Sequence, residues 1–235
     1  MKTAPAAILA AALALTAASV QASDLKACAI PPNVQPAPTE IPPPDEIHPN
    51  VPIAAYLLAL YWSPEACRAR IPESDKAIQC EANRFGFTVH GLWPNGPDRV
   101  HPRYCRMSPP MSVKTVKANL CMTPSPWLLQ HEWQAHGTCN WKTPEAYFQK
   151  TRQIRERLKV PDLDPGPDGT MTAGEIRQAF IARNRGLRAE GLNVRVKQGR
   201  LTEVWVCMDL KFRWAACRGG NGPADAVVVT VTSRG

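Results

Sequence analysis

The sequence lacks the local motifs of several large hydrolase classes. It contains no G-x-S-x-G, the motif that places a nucleophilic serine on a sharp turn. His131 and Glu132 begin like the zinc motif H-E-x-x-H, but three residues separate Glu132 from His136, so the zinc-binding helix face is not formed. The acidic loop at 160–170 has Pro167 where a calcium loop needs glycine, and it lacks the closing glutamate. The sequence therefore predicts neither a metal site nor a cofactor.

Long apolar runs are also scarce. Lys2 precedes an alanine- and leucine-rich run at 4–18, and the small residues of a cleavage site follow at 20–22. The run is too short to cross a bilayer, and the pattern is typical of a secretory signal peptide. Residues 1–22 are therefore predicted to be removed, with the mature chain beginning near Ser23. We expect a periplasmic or secreted protein without a membrane span.

Eight cysteines lie beyond the predicted cleavage site, and none forms a C-x-x-C pair. An even number in an oxidising compartment indicates four disulfides, while the spacing disfavours zinc. Short separations favour the pairs Cys67–Cys80 and Cys207–Cys217. Spacing alone leaves the pairing of the other four cysteines open.

The remaining chain divides by composition. Residues 23–52 contain nine prolines, which exclude a regular helix or a central strand. We interpret this segment as an extended, mobile arm tied down at Cys28, with His48 on the surface. Residues 53–235 are long enough for one catalytic domain. The formal charge of +8 leaves nucleic acid, an anionic envelope surface or no charged partner equally open.

The periodicity of apolar residues predicts an α+β fold with a mainly antiparallel central sheet, several helices packed against it, and disulfide staples. Predicted strands cover 56–62, 85–93, 192–196, 201–210, 212–217 and 226–231. Predicted helices cover 112–120, a segment from about 126 through 136, 143–158 and 172–185. Loop is predicted at 98–110, with His101 exposed.

Two segments concentrate residues suited to acid–base chemistry. His131, Glu132 and His136 lie together, and on a helix Glu132 and His136 share a face. His90 lies at a predicted strand end and is the candidate to reach across to that face. Two imidazoles that titrate near neutrality suit general acid–base catalysis. RNA supplies its own nucleophile, the 2′-hydroxyl, so such a site needs no metal.

These two segments, at 87–94 and 131–139, resemble the active-site segments of the ribonuclease T(2) family. Further resemblance lies at 60–67, 144–148, 175–180 and 203–207, so most of 55–217 is covered and the proline-rich arm is not. The resemblance identifies the chain as a bacterial exported member. It implies that His90 and His136 are the acid–base pair. In the usual family scheme His136 takes the 2′-proton and His90 protonates the leaving oxygen, an order the sequence itself leaves open.

The resemblance also implies roles for neighbouring residues. Glu132 orients His136 or polarises the phosphate, and His131 contacts phosphate. Trp93 resembles a stacking platform for a base, with core packing as the alternative, and Asn95 is expected to hydrogen-bond the base.

The family pattern extends to the disulfides and shows one departure. It implies the bridge Cys105–Cys139, which leaves Cys28–Cys121. Ala135 stands where the family usually has lysine, immediately before His136. We expect position 135 to border the cleft, so that a lysine introduced there should raise kcat. The alternative is that a basic side chain from a neighbouring loop already supplies the missing charge.

The sequence therefore predicts a monomeric, metal-independent endoribonuclease of low base specificity. Its partner is single-stranded RNA, which it converts to 2′,3′-cyclic phosphates and then to 3′-phosphates. The alternative is a catalytically weakened protein that binds RNA or a surface on the same scaffold. Retention of both histidines and Glu132 favours the enzyme, because a pure binding protein needs none of them.

Overall fold

The computed structural model describes residues 28–69 and 71–234, so the predicted signal peptide at 1–22 lies outside the described residues. The strands in these ranges are β1 (Ala55–Trp62), β2 (Phe87–Asn95), β3 (Thr170–Thr172), β4 (Leu192–Lys197), β5 (Arg200–Met208) and β6 (Val228–Thr230). The α-helices are α1 (Ser63–Ala66), α2 (Glu73–Lys76), α3 (Val113–Lys117), α4 (Pro126–Ala135), α5 (Pro144–Arg157) and α6 (Ala173–Ile181). No helix in the described ranges combines the length and the apolar character needed to cross a bilayer.

The strands form one sheet in the order β2-β1-β5-β6-β3, and β4 also pairs with β5. All pairings are antiparallel except a single parallel contact between β5 and β6. Buried side chains from α4, α5 and α6 join those of the sheet in one apolar core. The prediction of an α+β fold with a mainly antiparallel sheet is confirmed.

Strand β2 continues two residues further than predicted. The sequence places its end before Pro94, but Pro94 lies within the strand opposite Tyr56, and Asn95 pairs with Ala55. Proline has no N–H to donate to a ladder, so it is confined to edge strands. Since β2 is the outermost strand of the described sheet, Pro94 interrupts no second ladder.

Helix starts agree with the sequence better than helix ends. The side chains of Ser125, Thr143 and Thr172 cap α4, α5 and α6, each accepting a hydrogen bond from a backbone N–H three residues on. Helix α4 was expected to run through 136, but it ends at Ala135 and His136 is its C-cap. Helix α6 ends at Ile181 rather than near 185.

The predicted return strand at 212–217 is absent. Phe212 adopts a positive φ of 58°, which an extended strand does not allow. The segment keeps one isolated bridge, between Met208 and Trp214. The tight turn that begins at Asp209 forces this conformation, because the Asp209 carboxylate accepts hydrogen bonds from the backbone of Lys211 and Arg213.

Four disulfides fasten the fold, and they are the four predicted pairs: Cys28–Cys121, Cys67–Cys80, Cys105–Cys139 and Cys207–Cys217. No cysteine in the described part of the chain is free. The described arm, 28–52, is packed rather than loose as expected. Beyond its bridge at Cys28, it buries Val34 and pairs the His48 backbone with Arg103.

Candidate active site

All five histidines of the chain line one cleft of about 460 Å³. They come from the arm (His48), β2 (His90), the loop after it (His101) and the end of α4 (His131 and His136). Sequence reasoning grouped three of them and treated His48 as surface and His101 as exposed loop. His101 is exposed, yet both residues reach the cleft because the arm and the 98–103 loop fold over it.

His90 is aimed by an irregularity in its strand. The register between β1 and β2 shifts so that Ala59 pairs with Gly91 and Leu60 with Val89, which leaves His90 as the extra residue of a β-bulge. The imidazole stacks on Tyr61, with ring centroids 4.2 Å apart. His90 is therefore held on a rigid sheet and not on a flexible loop.

Glu203 fixes the His90 ring from the next strand but one. Its Oε1 lies 2.6 Å from His90 Nδ1, and its Oε2 accepts a 2.6 Å hydrogen bond from the Trp205 indole. Sequence reasoning assigned Glu203 no role. The available indication was a carboxylate directly before the apolar run 204–208 of strand β5, where it is buried.

Glu132 lies on the other side of His90 and is almost completely buried. Its Oε1 is 3.3 Å from His90 Nε2, and its Oε2 accepts a 2.7 Å hydrogen bond from the Trp93 indole. A Cβ atom on Gly91 would lie 1.7 Å from Glu132 Oε2. Glycine at position 91 therefore makes room for this carboxylate beside the strand.

His90 and the carboxylates of Glu132 and Glu203 together favour a bound proton. Burial opposes the positive charge on His90, but the Glu132 charge and the Glu203 hydrogen bond outweigh it and raise the pKa of His90. Burial raises the pKa of Glu132, despite the opposing charges of His90 and His131. The cluster therefore stays protonated at a pH where a free imidazole has lost its proton. Glu132 Oε1 has no hydrogen-bond partner although it lies 3.3 Å from His90 Nε2, so that contact is an ion pair rather than an aligned hydrogen bond.

His136 has the opposite character. It terminates α4, stacks on Trp93 with centroids 5.3 Å apart, and its buried Nδ1 has no hydrogen-bond partner. Burial lowers the pKa of His136 well below its usual value, and the charges of Arg103 and His131 lower it further. A neutral imidazole is thereby available as a proton acceptor.

His131 is held between three side chains. Its Nδ1 lies 2.7 Å from Glu40 Oε2, its ring stacks on Trp127 at 5.3 Å, and the Tyr104 ring approaches edge-on. Glu40 belongs to the arm and was not predicted to take part. Its sequence context, between prolines and far from either histidine segment, offered no indication of this contact.

Position 135 does not border the cleft as expected. Ala135 is completely buried, and its carbonyl accepts a hydrogen bond from the Tyr104 N–H. The alternative, a basic side chain from a neighbouring loop, is represented by Arg103, which lines the cleft and whose charge lowers the pKa of His136 beyond the effect of burial. Tyr104 has a positive φ of 49°, and this bend, together with the Cys105–Cys139 bridge, directs the loop toward the end of α4.

Trp93 and Asn95 also line the cleft. The Trp93 indole contacts His90, His136 and Trp205, so core packing and stacking of a base are both compatible with its half-buried position. Stacking and base recognition by these two residues stay predictions.

Ligand atoms of His131, Glu132 and His136 lie within 4.8 Å of one another, close enough to hold a divalent cation. The same three side chains line the cleft that also contains His90, so they lie near both the protonated and the neutral imidazole. The partly exposed basic side chain of Arg103 lines the same cleft. The donor set thus suits an anionic group that needs proton transfer at two atoms as well as it suits a metal.

The chain was compared with known proteins. The model for the ribonuclease T2 family matches residues 53–217. A probable ribonuclease of Haemophilus influenzae is 33% identical over 187 residues, which cover 72% of this chain and 62% of that protein. A ribonuclease of Aeromonas hydrophila is 34% identical over 109 residues, covering 45% of this chain and 46% of that protein. The chain thus spans less than two thirds of the length of these two relatives.

Solved structures give the same fold. Trichomaglin, described as an S-like ribonuclease, superposes with a TM-score of 0.62 at 18% identity, covering 78% of this chain and 100% of its own. RNase NT, solved with 5′-AMP, has a TM-score of 0.55 at 19% identity, covering 77% of this chain and 98% of its own. At these identities the likeness concerns the fold.

Proposed function

The chain belongs to the ribonuclease T2 family, and from that premise we propose that it is an exported, metal-independent endoribonuclease acting on single-stranded RNA. The observation that carries the proposal is the pair of histidines in one cleft with opposite surroundings: His90 lies between the carboxylates of Glu132 and Glu203, and His136 is buried in the cleft that Arg103 also lines. These surroundings raise the pKa of His90 and lower that of His136. General acid–base catalysis needs one proton donor and one acceptor at the same pH, and this pair provides both.

The directions of the two pKa shifts support one division of roles. Neutral His136 takes the proton from the 2′-hydroxyl, whose oxygen attacks the adjacent phosphorus. Protonated His90 gives its proton to the 5′-oxygen as the bond between that oxygen and phosphorus breaks. The products are a 2′,3′-cyclic phosphate and a free 5′-hydroxyl. In a second step the roles reverse: water loses a proton to His90 as its oxygen attacks the phosphorus. The bond between phosphorus and the 2′-oxygen breaks, His136 returns its proton to that oxygen, and a 3′-phosphate remains.

Charge develops on the phosphate during attack, and the cleft supplies two groups to meet it. Arg103 takes the part that the family lysine would play at position 135, and His131 offers a ring nitrogen near Glu132 and His136. Groups preorganised toward developing charge are worth about 2.7–4 kcal/mol each in a site shielded from water. Arg103 is therefore expected to contribute mainly to turnover.

A neighbouring nucleotide has room beside His90. A second depression of about 680 Å³ is lined by Tyr61 and Glu203, both of which contact His90, and by the basic residues Lys197 and Arg200. Basic side chains track a phosphate backbone without reading its sequence. This arrangement is compatible with low base specificity.

The decisive experiment is digestion of homopolymeric RNAs and of single-stranded DNA in EDTA, with end-group analysis of the products. Wild type is expected to cleave RNA alone, and His90→Ala and His136→Ala are each expected to lower kcat by about 10²–10⁴-fold. Loss of cleavage in EDTA, or cleavage of DNA, would contradict the mechanism. An RNA-binding but inactive wild type would favour the alternative of a weakened binding protein, which the alanine at position 135 suggests.

Export accounts for the disulfides. Four bridges persist in oxidising compartments and are rare in the cytosol, so a periplasmic or extracellular location agrees with the covalent framework. Signal-peptide processing near Ser23 is checked by mass spectrometry of the exported protein.

A further inference from the structure

The proline-rich arm lies outside the family-matched residues 53–217, yet it reaches the cleft. Its Glu40 contacts His131, and its Glu46 lies 3.0 Å from an Arg103 nitrogen. Two of the basic side chains in the site thus have carboxylate partners from the same segment. The arm is therefore not a loose leader, because it places two carboxylates beside basic side chains of the cleft.

Several contacts fix the course of the arm over the domain. Cys28 is bridged to Cys121, and the Ala29 backbone exchanges two hydrogen bonds with the Asn83 amide. The Pro32 carbonyl accepts a 2.8 Å hydrogen bond from Lys117. Further along, His48 and Arg103 exchange backbone hydrogen bonds of 2.9 and 3.2 Å. Glu40 lies between these anchors, so its position is determined by the arm on both sides.

Glu40 itself is held at both backbone and side chain. Its N–H donates to Gln134 Oε1 at 3.0 Å, and its carbonyl accepts from Gln134 Nε2 at 3.4 Å. Its Oε2 accepts from Tyr104 Oη at 3.0 Å as well as facing His131 Nδ1 at 2.7 Å. Only about a fifth of the Glu40 side chain is exposed. The protein therefore holds Glu40 in one place, because its carboxylate accepts from two side chains and its backbone N–H and carbonyl are both hydrogen-bonded to Gln134.

We propose that Glu40 is a positioning residue of the active site, which fixes the ring and tautomer of His131 so that the second ring nitrogen faces the phosphate of the substrate. A carboxylate that accepts from one nitrogen of an imidazole sets the orientation of the other. The Trp127 stack holds the plane of the ring, and Glu40 holds its rotation within that plane. The inference rests on the proposed ribonuclease function.

The opposite reading is that the arm competes with RNA by placing carboxylates where phosphates bind. The geometry at Glu40 disfavours it, because Oε2 is already engaged by Tyr104 and His131 and the residue is enclosed by Gln134. The Glu46–Arg103 contact is more exposed, with about two fifths of the Glu46 side chain accessible. Exposed pairs of this kind contribute little and yield readily to a phosphate.

The test compares Glu40→Ala, Glu40→Gln and the exposed control Glu156→Gln, all in the full chain. Loss of an orienting partner typically lowers affinity or activity by about 10–100-fold, so Glu40→Ala should lower kcat/KM and raise the inhibition constant of inorganic phosphate. Glu40→Gln keeps an oxygen that accepts from His131 and should lose less. Nitrogen NMR of the imidazole should show one fixed His131 tautomer in wild type and a mixture in Glu40→Ala, whether or not the enzyme turns over.

The outcomes separate this inference from the proposed function. An inactive wild type with a fixed His131 tautomer that Glu40→Ala releases contradicts the function and supports the positioning role. An active wild type with unchanged phosphate inhibition and tautomer in Glu40→Ala overturns the positioning role alone. Faster turnover or tighter phosphate binding in the Glu40 variants also overturns it, in favour of competition by the arm. Thermal melting of each variant identifies any loss that follows from unfolding.

Discussion

Replacing Glu203 by glutamine tests whether His90 is the acid. The Glu203 carboxylate faces His90 Nδ1 at 2.6 Å in a buried setting, and Gln keeps its shape but removes the charge. A hydrogen bond to a charged group contributes about 1.5–3 kcal/mol, and a tenfold change in proton affinity corresponds to about 1.36 kcal/mol. Removing the charge should therefore weaken proton binding at His90 by about ten- to a hundredfold.

The sign of the effect on activity follows from the two pKa directions. Because the pKa of His136 is lowered, the acid limb of the kcat/KM profile should lie below the ordinary value of 6.5 for histidine. Because the pKa of His90 is raised, the basic limb should lie above it, which gives a broad plateau. Glu203→Gln should move only the basic limb, by about 1–2 pH units toward acid.

Glu203→Gln should also destabilise the fold, and the assay must separate this effect from the shift of the pH profile. The two oxygens of Glu203 serve His90 and the Trp205 indole, but an amide has one acceptor oxygen, so one buried donor loses its partner. That loss costs about 1–3 kcal/mol, and a domain of this size loses about 2–4 °C in Tm per kcal/mol. Steady-state cleavage from pH 4 to 9, well below the Tm, gives the profile. Glu145→Gln, which alters a carboxylate bonded to Thr115 away from the cleft, is the control. A lower rate with an unmoved basic limb would refute His90 as the acid.

Two further predictions concern the surroundings of the site. Ala135→Lys should lower the Tm without raising kcat, because position 135 is completely buried and a buried ammonium costs several kcal/mol; a faster enzyme of unchanged Tm would mean that this position borders the cleft after all. Replacing both cysteines of Cys105–Cys139 by serine should lower stability by about 2–4 kcal/mol and also reduce turnover well below the Tm, because the bridge holds the Arg103 loop against α4. The matched removal of Cys67–Cys80, whose loop borders the second depression and not the cleft, should lower stability and at most raise KM, with kcat unchanged; equal losses of kcat in both variants would contradict a role for the Cys105–Cys139 bridge in the site.

The core of the fold was predictable because local patterns determine it. The apolar run at 56–62 becomes the buried strand β1, and the capping pattern of Thr172 and Glu175 starts α6 where expected. Helix ends were less predictable: Gly137 places the end of α4 only to within a residue, and neither glycine nor proline directly follows Ile181 at the end of α6. The prediction of a strand at 212–217 was wrong for another reason: the turn at Asp209 overrides the strand propensity of this segment.

The residues of the site were also predictable only where a local sequence pattern determines their position. Residues within the two histidine segments come together in the cleft, because each segment lies on a rigid element next to the sheet. Glu203 and Glu40 enter it through contacts 113 and 91 residues distant in sequence, and no local pattern reports on such pairing. Arg103 was foreseen only as an unnamed basic residue. Its identity depends on the left-handed backbone at Tyr104, which sequence alone does not indicate for a tyrosine.

The opposite proton affinities of the two histidines arise from where charge is placed around them. Both are buried, and burial alone lowers the pKa of any imidazole. His90 escapes this effect because a bulge in β2 puts it between the carboxylates of Glu132 and Glu203. For His136 the charges of Arg103 and His131 act in the same direction as burial and lower its pKa further. The difference in proton affinity between the two histidines therefore follows from the charges placed around each ring and not from burial, which both rings share.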